Sequence, residues 1–220
     1  MITSAFRYER KFFINDLTYK NVESIVKLNP FQFSEIFHLR NINNIYYDTL
    51  FMHSLNDNIL GISDRLKVRV RWYGDLFGEI NEPTLELKIK KGQVGKKHSI
   101  KINPFRLEIG EYLHPKCPLM SNYSNQINYD LNNYKPTLIN SYQRKYFLSK
   151  DKTFRVTIDS NQTFIPISMN VPIKKISDKT SIIVELKYGD KEDDKARNLS
   201  DYFPFRLSKS SKYVRGLSFG

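Results

Sequence analysis

Between Arg65 and Trp72 every odd position is a cation, Arg65, Lys67, Arg69 and Arg71, and every even one is apolar, Leu66, Val68, Val70 and Trp72. Four positive charges at two-residue spacing suit the gripping of a polyanion, because Arg offers a planar fork and Lys a compact charge to phosphate oxygens. The arrangement recurs: Glu86, Lys88 and Lys90 alternate with Leu85, Leu87 and Ile89, and Glu185 and Lys187 oppose Val184 and Leu186. Three further segments extend it: Arg7, Glu9 and Lys11; Tyr142, Arg144 and Tyr146; and Arg155, Thr157 and Asp159 set against Val156 and Ile158. The carboxylates among these cations, Glu9, Glu86, Asp159 and Glu185, are poor anion binders. They suit a second task, holding a divalent ion or keeping the cations oriented. Mg2+ and Mn2+ take oxygen donors and often use only one or two carboxylates besides the phosphates of a substrate. Glu185 is the first choice for such a ligand, with a structural ion pair to a neighbouring lysine as the competing reading.

Period-two alternation is the mark of a strand with one apolar and one polar face. A single such strand reads most simply as a sheet whose charged face meets water. Here many strands repeat Arg and Lys on one side, and like charges stacked across neighbouring strands repel unless an anion lies among them. The expectation is an α+β fold: a closed antiparallel eight-stranded β-barrel with a cationic interior wide enough for one small ligand, its apolar outside covered by flanking helices. Ile45 to Thr49 and Lys97 to Ile102 read as weaker strands. Asn15 or Asp16 is expected to cap a helix carrying Val22, Ile25 and Val26 before Pro30, and Asp193 to Phe203 to form another before Pro204. The Asn-, Pro- and Tyr-rich stretch from Asn103 to Pro136 shows no alternation and reads as a helical or loop excursion. No repeat or flexible linker divides the chain, so residues 1–220 read as a single domain.

The totals narrow the partners. The formal charge of +12 points to nucleic acid, an acidic membrane surface or phosphate esters without choosing between them. The single cysteine, Cys117, flanked by Pro115, Lys116 and Pro118, reads as a loop residue in a reducing compartment, not as a nucleophile. His38, His53, His98 and His114 are scattered, and there is neither a P-loop nor a zinc spacing. Charges at Arg7, Glu9, Arg10 and Lys11 break any early apolar run, and no segment has the length of a membrane span, so a cytoplasmic protein is expected.

Eight segments in order, "RYERKFFI", "IYYDT", "KVRVRWYGD", "LELKIK", "YQRKYF", "RVTID", "VELKY" and "SKYVRG", together resemble the VTC domain. That is the catalytic domain of vacuolar transporter chaperone polyphosphate polymerases, in the CYTH or triphosphate tunnel metalloenzyme superfamily. The resemblance implies a tunnel of antiparallel strands in which the terminal phosphate of ATP passes to a growing polyphosphate chain, leaving ADP, with Mn2+ or Mg2+ as cofactor. It implies phosphate-binding roles for Lys11, Arg69, Arg71, Lys88, Arg144 and Lys212, a phosphate contact for Ser211, and metal binding by Glu185. Arg155 and Glu9 match charged tunnel positions; Lys67, Glu86, Lys90 and Lys187 share the strand faces and join them as substrate-binding candidates. After Gly95, alternation turns Lys97 inward while the family spacing favours Lys96, and His98 stands where relatives often carry another cation. ATP and inorganic polyphosphate are the implied partners, the polymer being either released in the cytosol or handed to a separate membrane partner.

Three alternatives stand beside polymer synthesis. A hydrolase of tripolyphosphate or of a nucleoside triphosphate would use the same tunnel. A non-catalytic polyphosphate-binding module would keep the cations yet tolerate loss of Glu185. Nucleic-acid binding is disfavoured, because most of the fourteen Tyr and fifteen Phe fall on apolar phases of strands or beside helices.

Overall fold

The computed structural model describes residues 7–91, 94–108, 117–167 and 173–218. Among the described residues the chain forms eleven strands and a few short helices. In chain order these are β1 (Arg7–Ile14), α1 (Tyr19–Leu28), β2 (Ser34–Asp48), α2 (His53–Ile59), β3 (Arg65–Tyr73), β4 (Gly78–Ile80), β5 (Thr84–Lys91), β6 (Val94–Lys101), β7 (Phe105–Leu107) and α3 (Ser124–Ile127). Then follow β8 (Lys135–Leu148), β9 (Arg155–Pro166), β10 (Ile176–Asp178), β11 (Ile182–Gly189), α4 (Asp193–Asp201) and α5 (Lys212–Leu217). The main sheet has nine strands in the order β1-β11-β9-β8-β2-β3-β5-β6 with β10 on β9, and β4 pairs with β7 separately. The β1–β11, β11–β9, β2–β3, β3–β5, β5–β6 and β4–β7 pairs are antiparallel.

The mostly antiparallel sheet with few helices agrees with the expected class, but the closed eight-stranded barrel is corrected: the order has two ends, β1 and β6. Alternation reports which side of a strand is apolar and is silent on which strands pair, so it cannot register closure; β10, three residues long, is too short to show a period at all. Contacts divide the chain into two compact units interleaved along the sequence. The first holds Met1–Arg40, Tyr142–Gln162 and Ser177–Ser210; the second holds Asn41–Ser141, Thr163–Ile176 and Ser211–Gly220.

In the first unit the apolar sides of β1, β9 and β11 supply Phe12, Ile14, Val156, Ile158, Val184 and Leu186 to one buried cluster. Val22 and Val26, one turn apart on α1, and Ala196 and Leu199 on α4 close over it. The cap of α1 is Thr18, not Asn15 or Asp16: its side chain accepts from the Asn21 backbone, while the Asn21 side chain accepts from the Thr18 backbone. That reciprocal pair satisfies two N–H groups that Asn15 and Asp16 are too far upstream to reach. Helix α4 opens with Asp193 and Asp194, which favour the positive end of its dipole.

In the second unit Val68, Val70, Trp72, Leu85 and Leu87 of β3 and β5 join Ile45 and Tyr47 of β2 in a second core. Its cover is Met120, Tyr123, Ile127 and Leu131, from the stretch that carries no sequence period. Residues 109–116 of that stretch, including His114, Pro115 and Lys116, lie outside those described. Cys117 is buried beside Tyr47, and burial pushes its thiol up to about 12, which keeps it protonated and unreactive. Helix α5 packs through Tyr213 on Tyr46, Leu138 and Phe164. A Cβ at Gly216 would stand 2.6 Å from Leu138 Cδ2 and 2.7 Å from Phe164 Cδ1, so only glycine lets the helix approach this closely. Among the described residues no helix is long and apolar enough to cross a membrane.

Candidate functional site

Each unit presents a charged strand face. In the first, the register sets Glu9 opposite Lys187 and Lys11 opposite Glu185 across β1 and β11. It then sets Glu185 opposite Thr157, and Lys187 opposite Arg155, across β11 and β9. Opposite charges thus alternate along and across the strands. Lys11 Nζ lies 2.8 Å from Glu9 Oε1 and 3.4 Å from Glu185 Oε1, and donates to the Ser210 carbonyl at 3.2 Å. Lys187 Nζ is 3.0 Å from Glu185 Oε2. Arg144 of β8 forks onto both oxygens of Asp159, one at 2.6 Å, and reaches Glu185 Oε2 at 3.2 Å. Its guanidinium lies over the rings of Tyr142 and Tyr146, which hold its plane.

Burial opposes charge on Lys11, yet the Glu185 and Glu9 carboxylates outweigh it and raise the ammonium pKa above its ordinary value. Arg144 is likewise raised, against desolvation, by Asp159, Tyr142 and Glu185. Both stay charged through the physiological range. Arg155, opposite Lys187, is exposed.

In the second unit the register builds rows across β3, β5 and β6. Lys67 stands opposite Lys88 and Lys88 opposite Lys97, which puts three lysines at neighbouring register positions. The next row is Arg69, Glu86 and Ser99, and Arg65 pairs with Lys90 on the other side. Glu86, 5% exposed, meets Arg69 at 2.6 Å, Lys97 at 3.0 Å and Arg71 at 3.6 Å. Desolvation pushes its carboxyl up, but Arg69, Arg71 and Lys97 together hold it well below the carboxylate range.

The Lys96 and Lys97 alternatives separate here. Lys97 faces Lys88 and pairs with Glu86, while Lys96 stands opposite Ile89 on the reverse side of β6. His98, opposite Leu87, also faces away from the Lys88 row and lies near the Tyr129 ring. Ser211 has a structural duty in addition to any ligand contact: it caps α5 by accepting from Val214 N–H, and it accepts from Lys67 Nζ at 3.1 Å. Lys212 is buried at the first position of that helix.

Several supporting residues carry no sequence signal. Asn44 accepts from Arg71 Nε at 3.0 Å, and Asn140 accepts from the Asn44 amide at 3.4 Å, fixing Arg71 from beneath. Tyr213 donates to Asp48 at 2.6 Å, while Asp48 accepts the Ser54 and Leu55 backbone N–H groups at the start of α2. Thr157, 1% exposed, has a hydroxyl with no hydrogen-bond partner.

No group of three or more His, Cys, Asp and Glu side chains gathers as a metal cage among the described residues. Glu9 and Glu185 both reach the ammonium of Lys11, whereas Asp159 is occupied by the Arg144 fork. Such a set suits a hard divalent ion that takes one or two carboxylates and completes its shell with phosphate oxygens; it does not suit an all-protein site.

The family model for the VTC domain matches residues 6–219. No curated protein matches the chain. Among solved structures, a presumed adenylate cyclase of Vibrio parahaemolyticus is similar with TM-score 0.55 and 13% identity, over 98% of this chain and 99% of that one. A presumed adenylate cyclase of Bacillus halodurans follows with TM-score 0.52 and 12% identity, and a protein of Pyrococcus horikoshii OT3 with 0.50 and 12%, each over 96% of both chains. At these identities the likeness is one of fold.

Proposed function

This chain belongs to the VTC domain family, and on that footing we propose that it is a polyphosphate polymerase, transferring the terminal phosphate of ATP to a growing inorganic polyphosphate chain with the help of Mn2+ or Mg2+. Family membership supports an activity on polyphosphate or triphosphate. The observation that carries the reading furthest is the row Lys67, Lys88 and Lys97, three lysines at directly paired positions across β3, β5 and β6, of which Lys97 pairs with Glu86. Like charges directly opposite one another destabilise a sheet, so the row makes physical sense as a seat for a polyanion.

In this reading Arg69, Arg71, Lys88 and Arg144 grip the triphosphate by charge-assisted hydrogen bonds, while Lys67, Lys90, Lys97, Arg155 and Lys187 attract and align phosphate along the faces. Glu86 and Asp159 keep guanidinium forks pointed, since each holds an arginine at 2.6 Å. Lys11 and Lys212 stabilise charge on the transferring group, Ser211 donates its hydroxyl to a phosphate oxygen, and Glu9 keeps Lys11 beside Glu185. Glu185 holds the divalent ion, which when bound supplies further positive charge to the phosphate oxygens. A terminal oxygen of the acceptor chain attacks the γ-phosphorus, the bond to the β-phosphate oxygen breaks, and ADP leaves with that electron pair. Such transfer asks chiefly for positioning and charge, and no covalent nucleophile is needed. The same reading takes residues 1–220 as one cytoplasmic domain that releases polymer in the cytosol or hands it to a separate membrane partner.

The test is to incubate the purified chain with ATP and Mn2+ and resolve the products. Acid-labile polymer with ADP is expected, and the Glu185→Gln variant should lose it. Free phosphate without polymer marks a hydrolase; binding of polyphosphate with no turnover marks a non-catalytic module, and either outcome overturns the polymerase.

A further inference from the structure

Thr157 is the one hydroxyl in the charged face of β9, between Arg155 and Asp159, and it stands directly opposite Glu185. It is 1% exposed and its oxygen has no partner, while its neighbours are engaged. Glu185 holds Lys11, Arg144 and Lys187, and Asp159 holds Arg144. A buried hydroxyl that bonds nothing costs a folded protein stability. Valine fills the same volume, favours strands as strongly, and would serve a merely structural position better.

The hydroxyl gains a purpose once phosphate arrives. Lys11 and Lys187 carry compact ammonium charges on four-carbon stems, and a multiply charged phosphate competes with Glu185 for both. A carboxylate 6% exposed would then keep Arg144 but lose two of its donors. The side chain directly across the strand is Thr157.

We propose that Thr157 is a positioning residue for Glu185: its hydroxyl donates to the Glu185 carboxylate when Lys11 and Lys187 turn to a phosphate ligand, holding that carboxylate's oxygens toward the divalent ion. The inference rests on the phosphoryl-transfer reading above, in which Glu185 is the metal ligand. The hydroxyl reaches the ion only through Glu185, so its effect belongs to the ligand-loaded molecule and its cost to the empty one.

The experiment compares the full chain with its Thr157→Val and Thr157→Ser variants. Binding of Mn2+ is titrated by electron paramagnetic resonance in the presence of tripolyphosphate, and thermal melting is recorded without either. Thr157→Val should melt at or above the parent temperature yet bind Mn2+ about 10-fold more weakly or worse, as loss of a group that orients a metal ligand typically does. In turnover it should lower kcat with KM for ATP little changed, and Thr157→Ser should restore both Mn2+ affinity and kcat. Parent-like Mn2+ binding by Thr157→Val overturns the inference while leaving the phosphoryl-transfer reading intact. So does a lower melting temperature for Thr157→Val, which would mark the hydroxyl as structural. Failure of the parent itself to bind Mn2+ with tripolyphosphate removes the underlying reading and the inference with it.

Discussion

The charged faces of the two units use the same residue types in different proportions. In the first, Lys11, Arg144 and Lys187 are interwoven with Glu9, Asp159 and Glu185, so that each carboxylate has a cation within 4 Å. In the second, Arg65, Lys67, Arg69, Arg71, Lys88, Lys90 and Lys97 share paired positions with Glu86 as the carboxylate among them. A balanced lattice holds side chains in fixed places and is stable as it stands. A cation excess is poised for an anion and gains by binding one. Under the proposed function, the balanced face would hold its cations and the metal ligand in place, and the cation-rich face would supply more of the charge that phosphate meets.

Breaking the balanced lattice should have the largest effect on stability. Arg144→Met leaves Asp159, 0% exposed, without its fork. Chemical denaturation should show a loss of about 3 kcal/mol or more, as for other buried pairs deprived of one member. Lys88→Met, on the cation-rich face, should stay within about 0.5 kcal/mol of the parent while weakening tripolyphosphate binding roughly 10-fold, the value of one charge-assisted contact. Equal stability losses for the two variants would erase the contrast.

A matched pair of carboxylate changes sharpens it. Glu86→Gln should cost about 1 kcal/mol of stability and tighten metal-free tripolyphosphate binding, since it removes a competitor for Arg69, Arg71 and Lys97. Glu185→Gln should lower Mn2+-dependent turnover roughly 100-fold. If Glu86→Gln weakens binding instead, Glu86 orients its arginines more than it competes for them.

The pH response separates the faces more gently. The Glu86 carboxyl is held well below its ordinary 4.5, so its contribution to stability is complete above pH 4.5 and is lost as pH falls below that through the folded value. Lys11 has the opposite sign: raised above its ordinary 10.5, it contributes fully below pH 10.5 and loses that only as pH climbs through its folded value. Melting temperature followed into acid should therefore fall less steeply in Glu86→Gln than in the parent. An unchanged acid limb would remove Glu86 as a source of acid lability. The smallest effect is expected at the edge: Lys97→Ala, at a side chain 55% exposed, should lower tripolyphosphate affinity a few-fold with stability nearly constant. Lys96→Ala, on the reverse face, should change neither.

How far these faces were legible in the sequence depends on what period two can encode. It marks β3, β5, β9 and β11 because each carries one apolar and one polar side, and it turns Lys97, not Lys96, toward Lys88. It says nothing of pairing partners, which is why a closed eight-stranded barrel was expected where the strand order has two ends. Helices α2 and α5 are under three turns long, too short for a 3.6-residue pattern, and α5 begins inside a segment whose Ser211 and Lys212 read first as ligand contacts. Met120, Tyr123, Ile127 and Leu131 cover a core from a stretch whose apolar residues follow no strand spacing. Asn44 and Asn140 are residue types that strands disfavour, so their support of Arg71 shows only in three dimensions. Thr157 looks in sequence like any β-branched strand residue, and only its burial beside Glu185 without a partner sets it apart.

The fate of the γ-phosphate tests the central claim most directly. With ATP labelled at that position, Mn2+ and the purified chain, the label should accumulate in acid-labile polymer while unlabelled ADP is released in equal amount. Label recovered wholly as orthophosphate, or retained in ATP, would contradict it.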